Sequence, residues 1–279
     1  MSGDLAFVGF GEAGQAFAGS VARAGRVLAF DVDPGRAAAM RALDVLPVAR
    51  ADLSGAGLVW SLVTADRAGV AAAECAGFLA PGALWLDGNS CSPGAKARAA
   101  AIIGAGQGQS VDVAIMAPVH PLRAAVPLLL AGPRADEAAE RLRALGMNPS
   151  VVGDRVGQAS TIKMLRSVMI KGIEALTAEC LLAARKAGVD DTVLASLQRS
   201  DPGFDWTARS GYNLERMAVH GRRRAAEMRE VAQTLRDLDL PDRMAAATAL
   251  WQEQIAALGA PMEDGFAARA DALLAALRR

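Results

Sequence analysis

Leu5-Ala6-Phe7-Val8-Gly9-Phe10-Gly11-Glu12-Ala13-Gly14 runs four apolar residues straight into a glycine turn. An amphipathic stretch follows to Ala24, and Val27-Leu28-Ala29-Phe30 then ends on Asp31. The pattern predicts a strand, a tight turn, a helix, and a second strand capped by an acid about twenty residues beyond the glycines. Gly9 permits the turn, Gly11 lets backbone approach a pyrophosphate, and Gly14 lets the helix lie close on the strand. Free N–H groups at the helix start carry a partial positive charge suited to phosphate. Asp31 can accept hydrogen bonds from both hydroxyls of an adenine ribose. The expectation is a dinucleotide site of Gly9, Gly11, Glu12, Ala13 and Asp31, joined by Val63 and Thr64 at the end of a later strand.

Working outward, Pro34 opens a short helix to Ala42, and residues 58–63 read as a third strand. Thr64-Ala65-Asp66 then offers a cap for a helix over 67–79, which stops at Pro81-Gly82. Residues 84–86 form a strand ending on Asp87, followed by a helix over 93–103. Strands are expected over 111–116 and 128–131, a helix over 135–145, and a short strand at Val151-Val152. Strands alternating with helices imply right-handed crossovers and a largely parallel sheet. Ligands of such sheets sit beyond the carboxyl ends of the strands. That places residues 9–14, Asp31, Thr64, Asn89 and residues 117–120 around one crevice.

Strand signals stop near Gly157. One long helix is expected over 159–187, broken at Gly188, then helices over 192–197, 214–238, 243–258 and 264–277, punctuated by Pro202-Gly203, Pro241 and Gly259-Ala260-Pro261. The fold class is therefore α/β: a Rossmann-type parallel-sheet domain over residues 1–155, then an all-helical domain over 156–279 for substrate and dimer contacts.

Composition narrows the function. Formal net charge is zero over 279 residues, so nothing draws the chain to nucleic acid or anionic membrane. No apolar run approaches the roughly 18 residues of a membrane span, and the N-terminal apolar stretch is used as a strand rather than a leader. Three cysteines without a CxxC and two histidines argue against a zinc site and for reduced thiols in the cytoplasm.

The long helix carries Ser160, Lys163, Ser167, Lys171 and Glu174 along one face, with Leu165, Val168, Met169, Gly172 and Leu176 opposite as a core stripe. A lysine at the crevice suits hydride chemistry: as ammonium it stabilises developing alkoxide, and as amine it accepts an alcohol proton. Partial burial lowers its pKa toward both tasks. The spacing equally fits an amphipathic surface helix. Asp87-Gly88-Asn89-Ser90-Cys91-Ser92-Pro93 ends a strand and starts a helix, so its serines either cap that helix or meet substrate, and Cys91 packs. His120, between Pro118 and Pro121, either orients substrate or is structural, and Arg123 nearby suits a carboxylate. His220 with Arg222, Arg223 and Arg224 reads as a solvated basic face, or as a cluster that reaches an anionic substrate across a subunit interface.

In order, these segments resemble the β-hydroxyacid dehydrogenase family, relatives of 6-phosphogluconate and 3-hydroxyisobutyrate dehydrogenases. GFGEAG with Asp31 carries the first motif. Asp87, Asn89, Ser90 and Pro93 stand for the family's D-x-S-T-x-x-P. Residues 116–122, MAPVHPL, occupy the place of D-A-P-V-S-G-G, and Gly157 through Lys163 to Ser167 that of G-x-G-x-x-x-K-x-x-x-N. The resemblance implies Lys163 as catalytic acid/base, substrate contacts from Asn89, Ser90, His120 and Ser167, no metal, and a homodimer through the helical domain. Asn89, His120-Pro121-Leu122 and Ser167 depart from the family's residues, and its C-terminal K-D lysine has no counterpart near Glu227-Met228, which marks a divergent branch. Asp31 and Asp33 would repel a 2′-phosphate and favour NAD, while Arg36 leaves NADP open. The expected function is an NAD(P)-dependent dehydrogenase interconverting hydroxyl and carbonyl on a small hydroxy acid or related polar substrate. Two alternatives stand beside it: an imine reductase of similar fold, and a non-catalytic dinucleotide sensor.

Overall fold

The computed structural model describes residues 4–22 and 25–278, so the expected helix end at Ala24 lies outside the described residues. The chain divides into two compact units, Met1–Lys163 and Met164–Arg279.

The first unit opens with β1 (Asp4–Val8), α1 (Glu12–Val21), β2 (Val27–Phe30), α2 (Ala37–Ala42, after a 3-10 turn) and β3 (Leu46–Pro47). It continues with β4 (Ala56–Ser61), α3 (Ala68–Cys75), β5 (Leu84–Asp87), α4 (Pro93–Ala105) and β6 (Gln109–Ile115). Then come β7 (Pro127–Ala131), α5 (Ala135–Ala144) and β8 (Asn148–Gly153). The sheet order is β3-β2-β1-β4-β5-β6-β7-β8. The chain steps from β1 outward through β2 to β3 and then returns to place β4 on the other side of β1, making the switch point where such sheets bind ligands. The pairings are parallel except β6–β7.

Alternation explains the two covered faces. Leu5 and Phe7 point to one side with Trp60, Leu84 and Leu86, where Phe17 of α1 and Leu142 of α5 cover them. Ala6 and Val8 point to the other, where Trp85 meets Ala72 of α3 and Ile103 of α4. The Phe17 and Trp60 rings stack at 4.6 Å.

α6 (Gln158–Ala187) begins in the first unit and runs into the second, which adds α7 (Asp190–Ser200), α8 (Trp206–Asp237), α9 (Arg243–Ala257) and α10 (Phe266–Leu277). Its core joins Leu181 and Leu182 of α6 to Leu214, Met217, Ile255 and Leu273. The expected core stripe of α6 is overturned. Leu165, Met169 and Leu176 are exposed (39%, 64% and 54%), whereas Ser167, Lys171 and Glu174 are buried. The polar face turns inward because it has partners there: Arg224 Nε donates to Glu174 at 2.9 Å, Gln252 to the same carboxylate at 2.9 Å, and Lys171 pairs with Glu227 at 2.9 Å. A fully paired charge can be buried. Among the described residues no helix is long and apolar enough to cross a membrane.

Candidate active site

The glycine turn sits at the carboxyl end of β1. Gly9 has φ +92, and a Cβ there would lie 2.5 Å from the Leu62 carbonyl oxygen; one on Gly14 would lie 2.4 Å from the Gly9 oxygen. Both glycines are demanded by protein packing. Gly11 differs: a Cβ on it would meet nothing within 4 Å. As N-cap of α1 it supplies no side-chain cap, so the first N–H groups of the helix face outward for an anion.

Asp31 ties turn to strand, its Oδ2 accepting from Phe10 N–H at 2.6 Å and its Oδ1 from Asp33 N–H at 2.8 Å. Each oxygen keeps a further lone pair for a ribose hydroxyl. Asp33 caps Gly35 N–H at 2.9 Å and pairs with Arg36 at 3.4 Å. Thr64, expected as a helix cap, makes no side-chain cap bond and is exposed just past β4. Open space over Gly11, an uncapped helix start and an acid closing β2 form a set of residues that fits a dinucleotide.

Beyond β5 the strand-end loop is pinned by Asn89. Its Oδ1 accepts from Val63 N–H at 2.7 Å, and its Nδ2 donates to Ser61 Oγ at 3.1 Å and to Asp87 at 2.8 Å. Asn89 is 3% exposed, with both ends of its amide engaged. The two serines separate cleanly. Ser92 Oγ caps α4 by accepting from Ala95 N–H at 3.4 Å, with Pro93 as first helical residue. Ser90 instead accepts from Lys163 Nζ at 2.7 Å. The structure therefore brings together Ser90 and Lys163, and joins them through Asn89 to Val63 beside the glycine turn.

Lys96, which sequence reasoning passed over, is 1% exposed beneath this loop. Its Nζ pairs with Asp87 at 2.8 Å and Asp112 at 3.4 Å and also donates to the Asp87 carbonyl. Burial pushes the ammonium pKa down, but the Asp87 and Asp112 carboxylates push harder, and the net direction is upward. Asp112 in turn accepts from Gly157 N–H at 3.1 Å, Ser160 N–H at 2.9 Å and Ser160 Oγ at 2.6 Å. A usable signal existed: Lys96 shares its helix face with Ala99 and Ile103, which are also buried.

His120 is gathered elsewhere in the unit. It lines a surface hollow of about 330 Å³ with Glu12, Gln15, Ala16, Gly19, Leu43 and Arg123, a group that holds neither Ser90 nor Lys163. Cys91 is buried, as packing predicts. Burial pushes the Cys75 thiol up to about 11. In the second unit Ser167 accepts from Lys171 Nζ at 3.2 Å. The basic cluster divides there: Arg224 is buried against Glu174, whereas Arg222 and Arg223 are exposed and line a hollow with His220.

Known proteins place the chain. A family model described as a domain of unknown function, DUF1932, matches residues 184–255. An uncharacterized 28.5 kDa protein of Methanothermus fervidus is 28% identical over 148 residues, so the match spans only 56% of that curated relative and 53% of this chain. A solved structure of a conserved hypothetical protein from Sinorhizobium meliloti is 40% identical, covering 99% of this chain and 97% of its own, with TM-score 0.79. The conserved protein MTH1747, of unknown function and structurally similar to 3-hydroxyacid dehydrogenases, is 31% identical over 90% of this chain and 96% of its own, with TM-score 0.74. The 3-hydroxyisobutyrate dehydrogenase of Mycobacterium tuberculosis shares the fold at 16% identity, 98% and 99% coverage and TM-score 0.78. Similar over nearly its whole length to these structures, at 40% and 31% identity for the first two, the chain belongs to the β-hydroxyacid dehydrogenase family.

Proposed function

We propose that the chain is an NAD-dependent oxidoreductase that interconverts a hydroxyl and a carbonyl on a small hydroxy acid or related polar substrate. The observation that carries this reading is the 2.7 Å contact between Lys163 Nζ and Ser90 Oγ, on the same sheet edge as the glycine turn. A bound nicotinamide would supply the hydride acceptor or donor. In the oxidative direction Lys163 as amine takes the hydroxyl proton; in the reductive direction its ammonium donates to the carbonyl oxygen and stabilises the charge that develops there. Ser90 holds Nζ in place. Asn89, with its amide fully engaged, acts by fixing the Ser90 loop, and Ser167 holds the α6 face one turn beyond Lys163. His120 and Arg123, which line the hollow beside α1 rather than the Lys163–Ser90 pair, would meet an acidic group only at the far end of a substrate.

Gly9, Gly11, Ala13 and the backbone of Glu12 cradle the pyrophosphate, with Val63 and Thr64 at the neighbouring strand end and Asp31 on the ribose. Arg36 already pairs with Asp33, which supports NAD over NADP. The apolar face of Leu165, Met169 and Leu176 supports a homodimer through the helical unit. Three free thiols suit a reducing, cytoplasmic setting.

The test is Lys163→Ala, assayed against a panel of hydroxy acids, aldehydes and imines with both NAD and NADP. Turnover is expected to fall roughly 10²–10⁴-fold with NADH affinity unchanged. Near-wild-type turnover in that variant would sink the assignment. Tight NADH binding by the wild type with no turnover across the panel would favour a sensor.

A further inference from the structure

Lys96 is a buried cation to which the proposed chemistry gives no task. An ion pair held this deep gains little stability over well-packed apolar side chains, so its retention calls for another reason. Its contacts lead to the site from both directions. On one side, Asp87 Oδ1, which pairs with Lys96, accepts from Asn89 N–H at 3.1 Å and from Asn89 Nδ2 at 2.8 Å, and Ser90 is the next residue. On the other side, Asp112 is 0% exposed and takes the place of an N-cap for α6, binding Gly157 and Ser160. Lys163 lies three residues beyond Ser160 on the same helix. The two arms meet again where Lys163 donates to Ser90. Every residue of this closed ring belongs to the first unit.

We propose that Lys96 and Asp112 are positioning residues for Lys163, locking the loop that carries Ser90 and the helix turn that carries Lys163 to one buried charge. The inference rests on the reading of Lys163 as the acid/base. Two carboxylates and one ammonium leave a net negative charge, which the N–H groups at the start of α6 offset. The α6 start therefore cannot slide along the sheet edge without stripping the buried Asp112 carboxylate of the Gly157 and Ser160 donors. A displacement of Ser160 passes to Lys163 through less than one helical turn and lengthens the contact to Ser90.

The experiment follows the ionisation of Lys163 directly. The chain has four lysines, so lysine-labelled protein gives four side-chain resonances, each assigned by its Lys→Arg variant. Ser160→Ala and Asp112→Asn are expected to weaken the Lys163–Ser90 contact, which favours the charged amine, and so raise the deprotonation constant of Lys163 about fivefold. Lys96→Met, which leaves the two carboxylates without their cation, is expected to shift the titration the same way, whereas Lys96→Arg keeps a cation between them and leaves the wild-type titration. Should Lys96→Met fail to fold, Ser160→Ala still decides, because it removes one hydroxyl and no charge. A Lys163 titration unchanged within about twofold in folded Ser160→Ala and Asp112→Asn proteins overturns the proposal. The readout needs no substrate. Failure of positioning is therefore distinct from failure of the lysine assignment, which would appear as full turnover by Lys163→Ala.

Discussion

Gly11→Ala separates the needs of the fold from the needs of a ligand. At Gly11 φ is −76 and ψ −158, extended backbone that alanine adopts, and a Cβ there touches nothing within 4 Å. The methyl group lowers unfolded-chain entropy, worth about 0.4–1 kcal/mol of stability. Alanine is a poorer N-cap than glycine, which costs about as much. The two nearly cancel, so Tm should move by no more than about 2–4 °C. Binding should respond quite differently. In the proposed cradle phosphate oxygens approach the helix N–H groups through the open space over Gly11, and a methyl group there would cost at least one charge-assisted hydrogen bond. At roughly 1.5–3 kcal/mol this weakens NADH binding by about 10- to 150-fold. Gly14→Ala is the contrasting control: its Cβ would lie 2.4 Å from the Gly9 carbonyl oxygen, so it should lose stability together with binding. Thermal unfolding followed by calorimetric NADH titration measures both quantities on the same samples. If Gly11→Ala binds NADH like the wild type, or loses as much stability as Gly14→Ala, the turn is not the phosphate cradle.

Two further outcomes are expected. Met169→Glu with Leu176→Glu should convert a homodimer to monomer in sedimentation while leaving helix content unchanged, since both side chains are exposed and outside the Glu174–Arg224 pairing; a dimer that persists places the interface elsewhere. The Arg185 guanidinium bonds Asp271 at 2.7 and 2.8 Å and holds its carboxyl below the usual 3.8. A lowered folded-state pKa contributes stability that is present above the unfolded value and lost as pH falls through the folded one. Asp271→Asn should therefore melt below the wild type at neutral pH, with the gap closing in acid below about pH 3.8; a gap that is constant with pH refutes the pairing.

The first thirty-one residues were legible because their signals are local: an apolar run, glycines at fixed spacing and a closing acid. The run of β7 against β6 was not, since an alternating strand reads the same in either direction. β3 is two residues long and sends no periodic signal. The faces of α6 were inverted for an instructive reason. Ser167, Lys171 and Glu174 have the chemistry of a solvated face, and partners such as Arg224, Glu227 and Gln252, fifty or more residues away in sequence, make that face a buried one. Lys163 was legible as a candidate, but its partner was not, because two serines near Asn89 were chemically equivalent until the fold gave one to α4 and one to the lysine. Asp112 was overlooked for the opposite reason: flanked by Val111 and Val113, it passes for one polar residue in a buried strand.

The reversal at β7 has a consequence for how such a protein can change. Met116 N–H donates to the Pro127 oxygen at 3.0 Å, so the chain between them leaves the ligand edge of the sheet and returns to that same edge. A parallel crossover would have to span the sheet and present a helix to its core, and its length would be fixed by that span. This segment presents no α-helix to the sheet and is anchored in the core at Val119 and Val126. Between those anchors it can lengthen, shorten or exchange residues while every strand stays in register, at an entropic cost that grows only with the logarithm of its length. His120 and Arg123 stand on a stretch whose exposed residues can change without renegotiating the sheet.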